Sequence, residues 1–169
     1  MSARAGGFRM LLRVRYAECD AQGIVFNARY AEYVDVLMGE LVRAAFGSYQ
    51  AMLDERRDTH VVRYAIDWSA PARFDDVLAL TVTRLAFGRT SFTAGIDIGR
   101  HPGGAALARA EVVNVLVDTG AGAKTPVCAS FRARLTAAAA GGLADFSGGA
   151  PAPASPSRPP AGRRPDPDS

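Results

Sequence analysis

The residues of this chain best suited to chemistry lie within Tyr16-Ala17-Glu18-Cys19-Asp20-Ala21-Gln22-Gly23-Ile24-Val25-Phe26-Asn27-Ala28-Arg29-Tyr30. A carboxylate, Asp20, ends an alternating stretch; a glycine-containing loop follows, and an apolar helical pattern opens near Asn27-Ala28-Arg29. The first N–H groups of a helix have no partner inside it, so they can hold an anion or polarise a carbonyl. An acid facing such donors suits attack on an acyl carbon. The acid is the nucleophile or activates water, and the N–H groups meet the negative charge that develops. The loop between Asp20 and Asn27 is long enough to fold the chain back and bring the two together. Gly23 relieves the turn by accepting backbone angles that other residues resist.

Plainer roles compete for the same residues. An Asp beside a helix start is, taken alone, more often a cap or turn residue, and Asn27 is a common N-cap. Cys19 is a second candidate nucleophile, but no histidine lies near it in sequence to act as its base, so it reads as a small core residue. His60 opens a strand and His101 sits in a turn, where structural or exposed roles are the ordinary ones. Thr90 and Ser91 lie on a strand, where a hydroxyl is usually just tolerated. The cysteines Cys19 and Cys128 do not form a metal-ligand spacing and the histidines have no companions, so no metal site is expected. No Gly-x-Gly-x-x-Gly or Walker-type loop occurs, which removes the nucleotide-fold readings and leaves no resident cofactor to expect.

The elements that must position Asp20 are legible from periodicity. Phe8, Met10, Leu12, Val14 and Tyr16 alternate with arginines, the period of a half-buried strand. From Ala28 to Phe46, Tyr30, Val34, Leu37, Leu41 and Ala45 fall on one helical stripe, and Gly47 is a natural stop. Four strands follow, over Val61–Trp68, Val77–Leu85, Thr90–Ile98 and Leu107–Val117. Val62, Tyr64, Ile66 and Trp68 share a face of the first, and both faces of the last look partly covered. Gly99 to Gly104 fits a hairpin turn. A short helix is expected to open with Thr125 as N-cap and Pro126 at its first position. An antiparallel meander with one long buried helix is an α+β plan.

A chain of 169 residues suits one domain, and the ordered part reads as 8–140. From Gly141 to Ser169 the composition turns to Gly, Ala, Pro and Ser with Leu143 and Phe146 the only large apolar groups, so 141–169 is expected to be a disordered tail. Apolar runs such as Ala137–Ala140 are far short of the ~20 residues that cross a bilayer, and no secretory leader is read in the first residues. A cytoplasmic protein without a membrane partner is expected. The net charge of +3 is spread along the chain, unlike the concentrated basic stripe that nucleic acid prefers. It suits a small anionic ligand or an acidic carrier protein.

The segment Asp20-Ala21-Gln22-Gly23-Ile24-Val25-Phe26, with Tyr30 following, resembles the Asp-x-x-Gly-[Ile/Val]-Val-aromatic signature of hotdog-fold thioesterases of the 4-hydroxybenzoyl-CoA thioesterase family. Phe74-Asp75-Asp76-Val77-Leu78 is similar to that family's turn into its third strand, and Gly88-Arg89-Thr90-Ser91-Phe92 is a weaker third match. The likeness keeps order and spacing from roughly Arg9 to Leu135. It implies a hotdog fold, a curved antiparallel sheet wrapped round the helix Ala28 to Phe46. It implies hydrolysis of an acyl-CoA thioester, with Asp20 as nucleophile or general base and the Asn27 backbone N–H at the thioester carbonyl. It further implies that Gly23 lines the substrate site and that Arg89 lies where relatives hold CoA phosphates. Asp35 falls where relatives carry an acid and reads first as a solvated residue, with contact to the distal end of the acyl group as the alternative, and Thr59 matches a residue near the pocket in some members. A homodimer or homotetramer with sites at the subunit interface is implied as well. Two alternatives stay open: a thioesterase acting on acyl-carrier-protein substrates, and a non-catalytic acyl-CoA binder. Hotdog dehydratases need a catalytic His with a matching acid, and neither His60 nor His101 has that setting.

Overall fold

The computed structural model describes residues 7–104 and 106–148. Strand β1 (Arg9–Arg13) is followed by a 3-10 turn at Tyr16–Glu18, a loop, the long helix α1 (Arg29–Phe46) and a short helix α2 (Tyr49–Asp54). Four long strands come next, β2 (Arg57–Trp68), β3 (Val77–Phe87), β4 (Ser91–His101) and β5 (Ala106–Asp118). The short β6 (Ala123–Lys124), helix α3 (Ala129–Ala139) and β7 (Leu143–Phe146) complete the described chain. The strands form one sheet in the order β2-β5-β4-β3-β1-β7, with β6 pairing with β5. All pairs are antiparallel except β1 with β7. This is the α+β hotdog plan, with a parallel strand added at one edge.

Helix α1 forms because its apolar residues recur on one face and that face has a sheet to cover it. Tyr30, Tyr33, Val34, Leu37, Met38, Leu41, Val42 and Phe46 are buried in one cluster with Leu80, Phe92, Ala94, Ile96, Ile98, Val112 and Leu116 of the sheet. Burying each such large side chain is worth roughly 1.5–3 kcal/mol relative to exposure, so tertiary packing holds the helix far more than intrinsic propensity does. The buried stripe is wider than Tyr30, Val34, Leu37, Leu41 and Ala45 alone, and Ala45 at its margin is half-buried. Helix α3 closes one end of this core. Its Phe131 ring lies 5.2 Å from Phe46 and 6.0 Å from Phe92, and Leu135 is fully buried beside them.

Several sequence expectations need correction. The terminal helix opens at Ala129 with Cys128 as N-cap, not at Thr125. The Thr125 N–H bonds to the Leu116 carbonyl at 2.9 Å and the Val127 N–H to that of Arg89 at 2.8 Å, which keep Pro126 in extended chain. Strand β2 begins at Arg57 rather than Val61, and β4 runs on to His101 through much of the expected turn. Register slips between Val61 and Arg63, and β2 is an edge strand, so of its expected apolar face only Tyr64 and Ile66 pack against the core while Val62 and Trp68 are more than half exposed. Tyr16 also leaves the strand pattern. The chain turns there, and its exposed ring packs edge-on to Phe74 at 5.9 Å.

The boundary drawn after Ala140 is corrected too, because β7 lies within the segment read as tail. Leu143 and Phe146 are largely exposed, so composition rightly found no apolar burial there. What it missed is that β1 offers an open edge. The Phe8 N–H bonds to the Ala139 carbonyl at 3.0 Å, Arg9 N–H to Gly142 at 2.9 Å, and Arg13 Nε to Ser147 at 2.8 Å. The rest of the expected tail, 149–169, lies outside the described residues.

Candidate active site

Asp20 sits where the 3-10 turn gives way to a small closed loop. Its N–H bonds to the Ile24 carbonyl at 2.8 Å, and its own carbonyl accepts from the Gly23 N–H at 2.9 Å. Its Oδ1 accepts from the Gln22 N–H at 2.8 Å. Cys19 and Val25 form a bridge across the loop, and the Phe26 N–H closes it on the Glu18 carbonyl at 2.9 Å. Gly23 has φ +74°, a left-handed angle that strains other residues, although a Cβ there would meet nothing within 4 Å. Backbone angle, and not room, is why a glycine stands here.

Two further bonds tie the loop to the segment before β3. The Val25 N–H reaches the Ala72 carbonyl at 2.9 Å, and the Ala72 N–H reaches the hydroxyl of the buried Tyr30 at 3.3 Å. Tyr30 in turn meets the Trp68 ring edge-on at 6.0 Å. These contacts leave a cleft of about 430 Å³ lined by Asp20, Ile24, Phe26, Asn27, Tyr30, Trp68 and Pro71. Burial pushes the Tyr30 phenol up, so it stays protonated in the wall of the cleft.

The N-terminus of α1 opens into this cleft. Ala28 is the N-cap, already in a helical conformation and with no side-chain cap. The Arg29, Tyr30 and Ala31 N–H groups turn back onto the carbonyls of Phe26, Asn27 and Ala28. The N–H groups of Asn27 and Ala28 have no hydrogen-bond partner among the described residues, and the Asn27 side chain has none either. Asn27 is therefore not the side-chain cap its type suggests. It brings a free backbone donor to the same cleft as the Asp20 carboxylate. Such a pair can place negative charge against N–H groups while an acid attacks or activates water.

Cys19, the rival nucleophile, is poorly set for that role. Burial pushes its thiol up, and the carboxylates of Glu18 and Asp20 push it further, which disfavours the reactive thiolate. His60 is largely exposed, 3.7 Å from Asp58, and His101 pairs with Arg9 at 3.1 Å. Neither lines the cleft. Among the described residues no His, Cys, Asp or Glu group gathers to hold a metal ion. No helix among them is long and apolar enough to cross a membrane.

The other sequence candidates are dispersed. Asp35 of α1 and Thr59 of β2 share a second cleft of about 520 Å³ with Arg43, Tyr49 and Asn114. There the Tyr49 hydroxyl donates to Asp58 Oδ1 at 2.5 Å, and burial followed by that carboxylate push the phenol up to about 12. Arg89 is exposed in the β3–β4 turn and lines neither cleft of its own chain. Gly23 shapes the loop but does not line the cleft. Sequence reasoning missed Trp68 and Pro71, which come from distant segments with no motif. It placed Tyr30 on the helix stripe and at the end of the signature but did not count it among the site residues. It also passed over Glu18, which is 2 % exposed. Its partner at the turn's N-cap is Arg15, a residue type that announces no cap.

Comparison with known proteins bears on the family and the fold. A family model described as "Thioesterase superfamily" matches residues 22–115, beginning just after Asp20 and including the loop, α1 and most of the sheet. The acyl-CoA thioester hydrolase YbgC of Escherichia coli O6:H1 is 34% identical over 113 residues, covering 66% of this chain and 82% of that protein. Among solved structures, a 1,4-dihydroxy-2-naphthoyl-CoA thioesterase from Synechocystis superposes with a TM-score of 0.68 at 20% identity, over 78% of this chain and 96% of its own. A Staphylococcus aureus protein solved in complex with CoA gives 0.72 at 11% identity, over 82% and 87%. On the family match and the relative's identity together, with the fold agreeing, this chain belongs to the thioesterase superfamily in its hotdog form.

Proposed function

We propose that this protein hydrolyses acyl-CoA thioesters, with Asp20 as the catalytic carboxylate and the Asn27 N–H as the principal oxyanion donor. One observation carries the reading: a carboxylate and uncapped helix N–H groups share a single cleft. The thioester oxygen sits at the Asn27 and Ala28 N–H groups. As general base, Asp20 takes a proton from water, whose oxygen adds to the acyl carbon. The oxyanion then collapses, the C–S bond breaks, and the thiolate recovers the proton held on Asp20. As nucleophile, Asp20 forms a mixed anhydride with loss of the thiolate, and water cleaves the anhydride. In either course the helix terminus opposes the same developing charge without reorganising.

Asp35 and Thr59 are proposed to meet the distal part of the acyl group, and Arg89 the CoA phosphates, across a subunit boundary. That placement is consistent with their distance in sequence and structure from the Asp20 cleft of one chain. The assembly proposed is a homodimer, or a tetramer built from it, formed through β2. This strand is long, lies at a sheet edge, and carries Val61, Val62 and Trp68 exposed at 40%, 56% and 51%. An open apolar edge invites pairing with another chain. Light scattering at micromolar concentration is expected to give a dimer or larger. A monomer with full activity rules out the shared site.

The deciding experiment is thiol release from a panel of aromatic, short and medium acyl-CoAs, run beside the same acyl groups on acyl carrier protein. Faster release from the carrier protein selects the carrier-protein reading. Binding of acyl-CoA by calorimetry with no thiol released from any substrate selects the non-catalytic binder.

A further inference from the structure

Glu18 is the only buried acid among the described residues, two positions before Asp20, and the reaction above makes no use of it. Its carboxylate is closed on Arg15: Oε2 accepts from the Arg15 N–H at 2.7 Å, and Oε1 accepts from Nε at 2.8 Å and Nη2 at 2.5 Å. A buried carboxylate is costly unless it is paired and hydrogen-bonded. Burial would raise this one, yet the bonds from Arg15 outweigh burial and hold it below the usual carboxylate value. From α1 the buried Tyr33 hydroxyl faces the same group, and burial followed by its interaction with the Glu18 carboxylate pushes that phenol up.

The main chain of Glu18 sits at the neck of the catalytic loop. Its carbonyl accepts the Phe26 N–H, immediately before Asn27, while its own chain runs on through Cys19 to Asp20. The side chain thus fixes the incoming limb to Arg15, and the backbone fixes the outgoing limb to the incoming one. Between these limbs Ala21, Gln22 and Gly23 are exposed, and the Val25 bond to Ala72 is the loop's other anchor.

We propose that Glu18 is a positioning residue for the hydrolysis: locked to Arg15, it holds the turn so that Asp20 and the Asn27 N–H keep the separation the reaction needs. The proposal rests on the function assigned to Asp20 above. A misplacement of ~1 Å can cost on the order of 100-fold in rate. Glu18→Gln keeps the volume and an acceptor for the Arg15 N–H, so kcat is expected to fall about tenfold with KM within about twofold. Glu18→Ala frees the turn, and its kcat is expected to fall on the order of 100-fold at similar KM.

Each variant is assayed as the full chain, below its melting temperature, with the folded fraction measured by circular dichroism and rates expressed per folded protein. Stepwise loss of kcat at constant KM, with Glu18→Gln partly rescuing Glu18→Ala, supports positioning. Wild-type kcat per folded protein in Glu18→Ala overturns it, as does a rise in KM alone. If neither Glu18 variant folds, Arg15→Ala decides. It removes the guanidinium bonds and leaves the backbone one, so a roughly three- to tenfold loss in kcat is expected, and no loss overturns the proposal. Asp20→Asn is run in parallel. If that variant keeps wild-type turnover, the functional reading and this one fall together. If it is inactive while Glu18→Ala is not, only the role of Glu18 falls.

Discussion

Replacing Asp20 by Asn separates chemistry from structure at this site. The bonds that close the loop around residue 20 are mostly main-chain, from Asp20 N–H to Ile24 and from Gly23 N–H to the Asp20 carbonyl. The one side-chain bond, Gln22 N–H to Oδ1, has an oxygen acceptor that Asn also possesses. Loop, helix terminus and cleft are therefore expected to survive, and the melting temperature to stay close to that of the wild type. What is lost is the charge that attacks or takes a proton. A lost acid–base group costs ~100- to 10,000-fold, and the lower bound corresponds to about 2.7 kcal/mol of transition-state stabilisation. The assay is free-thiol release at saturating acyl-CoA beside a thermal melt. A kcat at least ~100-fold lower with an unchanged melt is the expected pair of results. In a single turnover of the wild type in ¹⁸O-water, label in the peptide carrying Asp20 identifies an anhydride opened at the Asp20 carboxyl; a general base, or an anhydride opened at the acyl carbon, puts ¹⁸O only in the released acid. Wild-type turnover in the Asn variant refutes the assignment outright.

Four further outcomes are expected. Gly23→Ala meets no steric contact but must hold φ near +74°, so it is expected to destabilise by about 1–2 kcal/mol in a thermal melt. Cys19→Ala is expected to retain most activity, since burial and two carboxylates keep that thiol protonated. The Cys128 thiol is instead pulled down by the Ser130 hydroxyl, so at pH 7–8 iodoacetamide should label Cys128 ahead of Cys19 in a mass-spectrometric time course. A chain ending at Ala140 loses β7 and the Arg13–Ser147 bond and is expected to melt lower than one ending at Gly148. Equal melts would show that β7 adds nothing to the fold.

Much of this molecule was determined by local pattern, which the sequence carries openly. The 3.6-residue stripe of α1 and the alternation in β3, β4 and β5 each specify an element and its buried face, because periodicity is a property of neighbours along the chain. The order strand, acid, glycine loop, helix likewise put Asp20 and Asn27 within reach of one another before any tertiary contact was known. Other features depended on residues far apart in the chain. Trp68 and Pro71 face Asp20 because the Ile24 and Val25 backbone pairs with Arg73 and Ala72. Strand β7 forms because β1 has an unpaired edge, an opportunity that a poor strand composition cannot reveal. Pro126 stays extended because Leu116 and Arg89 claim its neighbours' N–H groups. The burial of Glu18 depends on Arg15 wrapping back and Tyr33 arriving from α1. Sequence pointed to the groups proposed to carry the chemistry, through residue type and short spacing. Tertiary structure alone decided what surrounds them, because pairing between distant segments leaves no period in the chain.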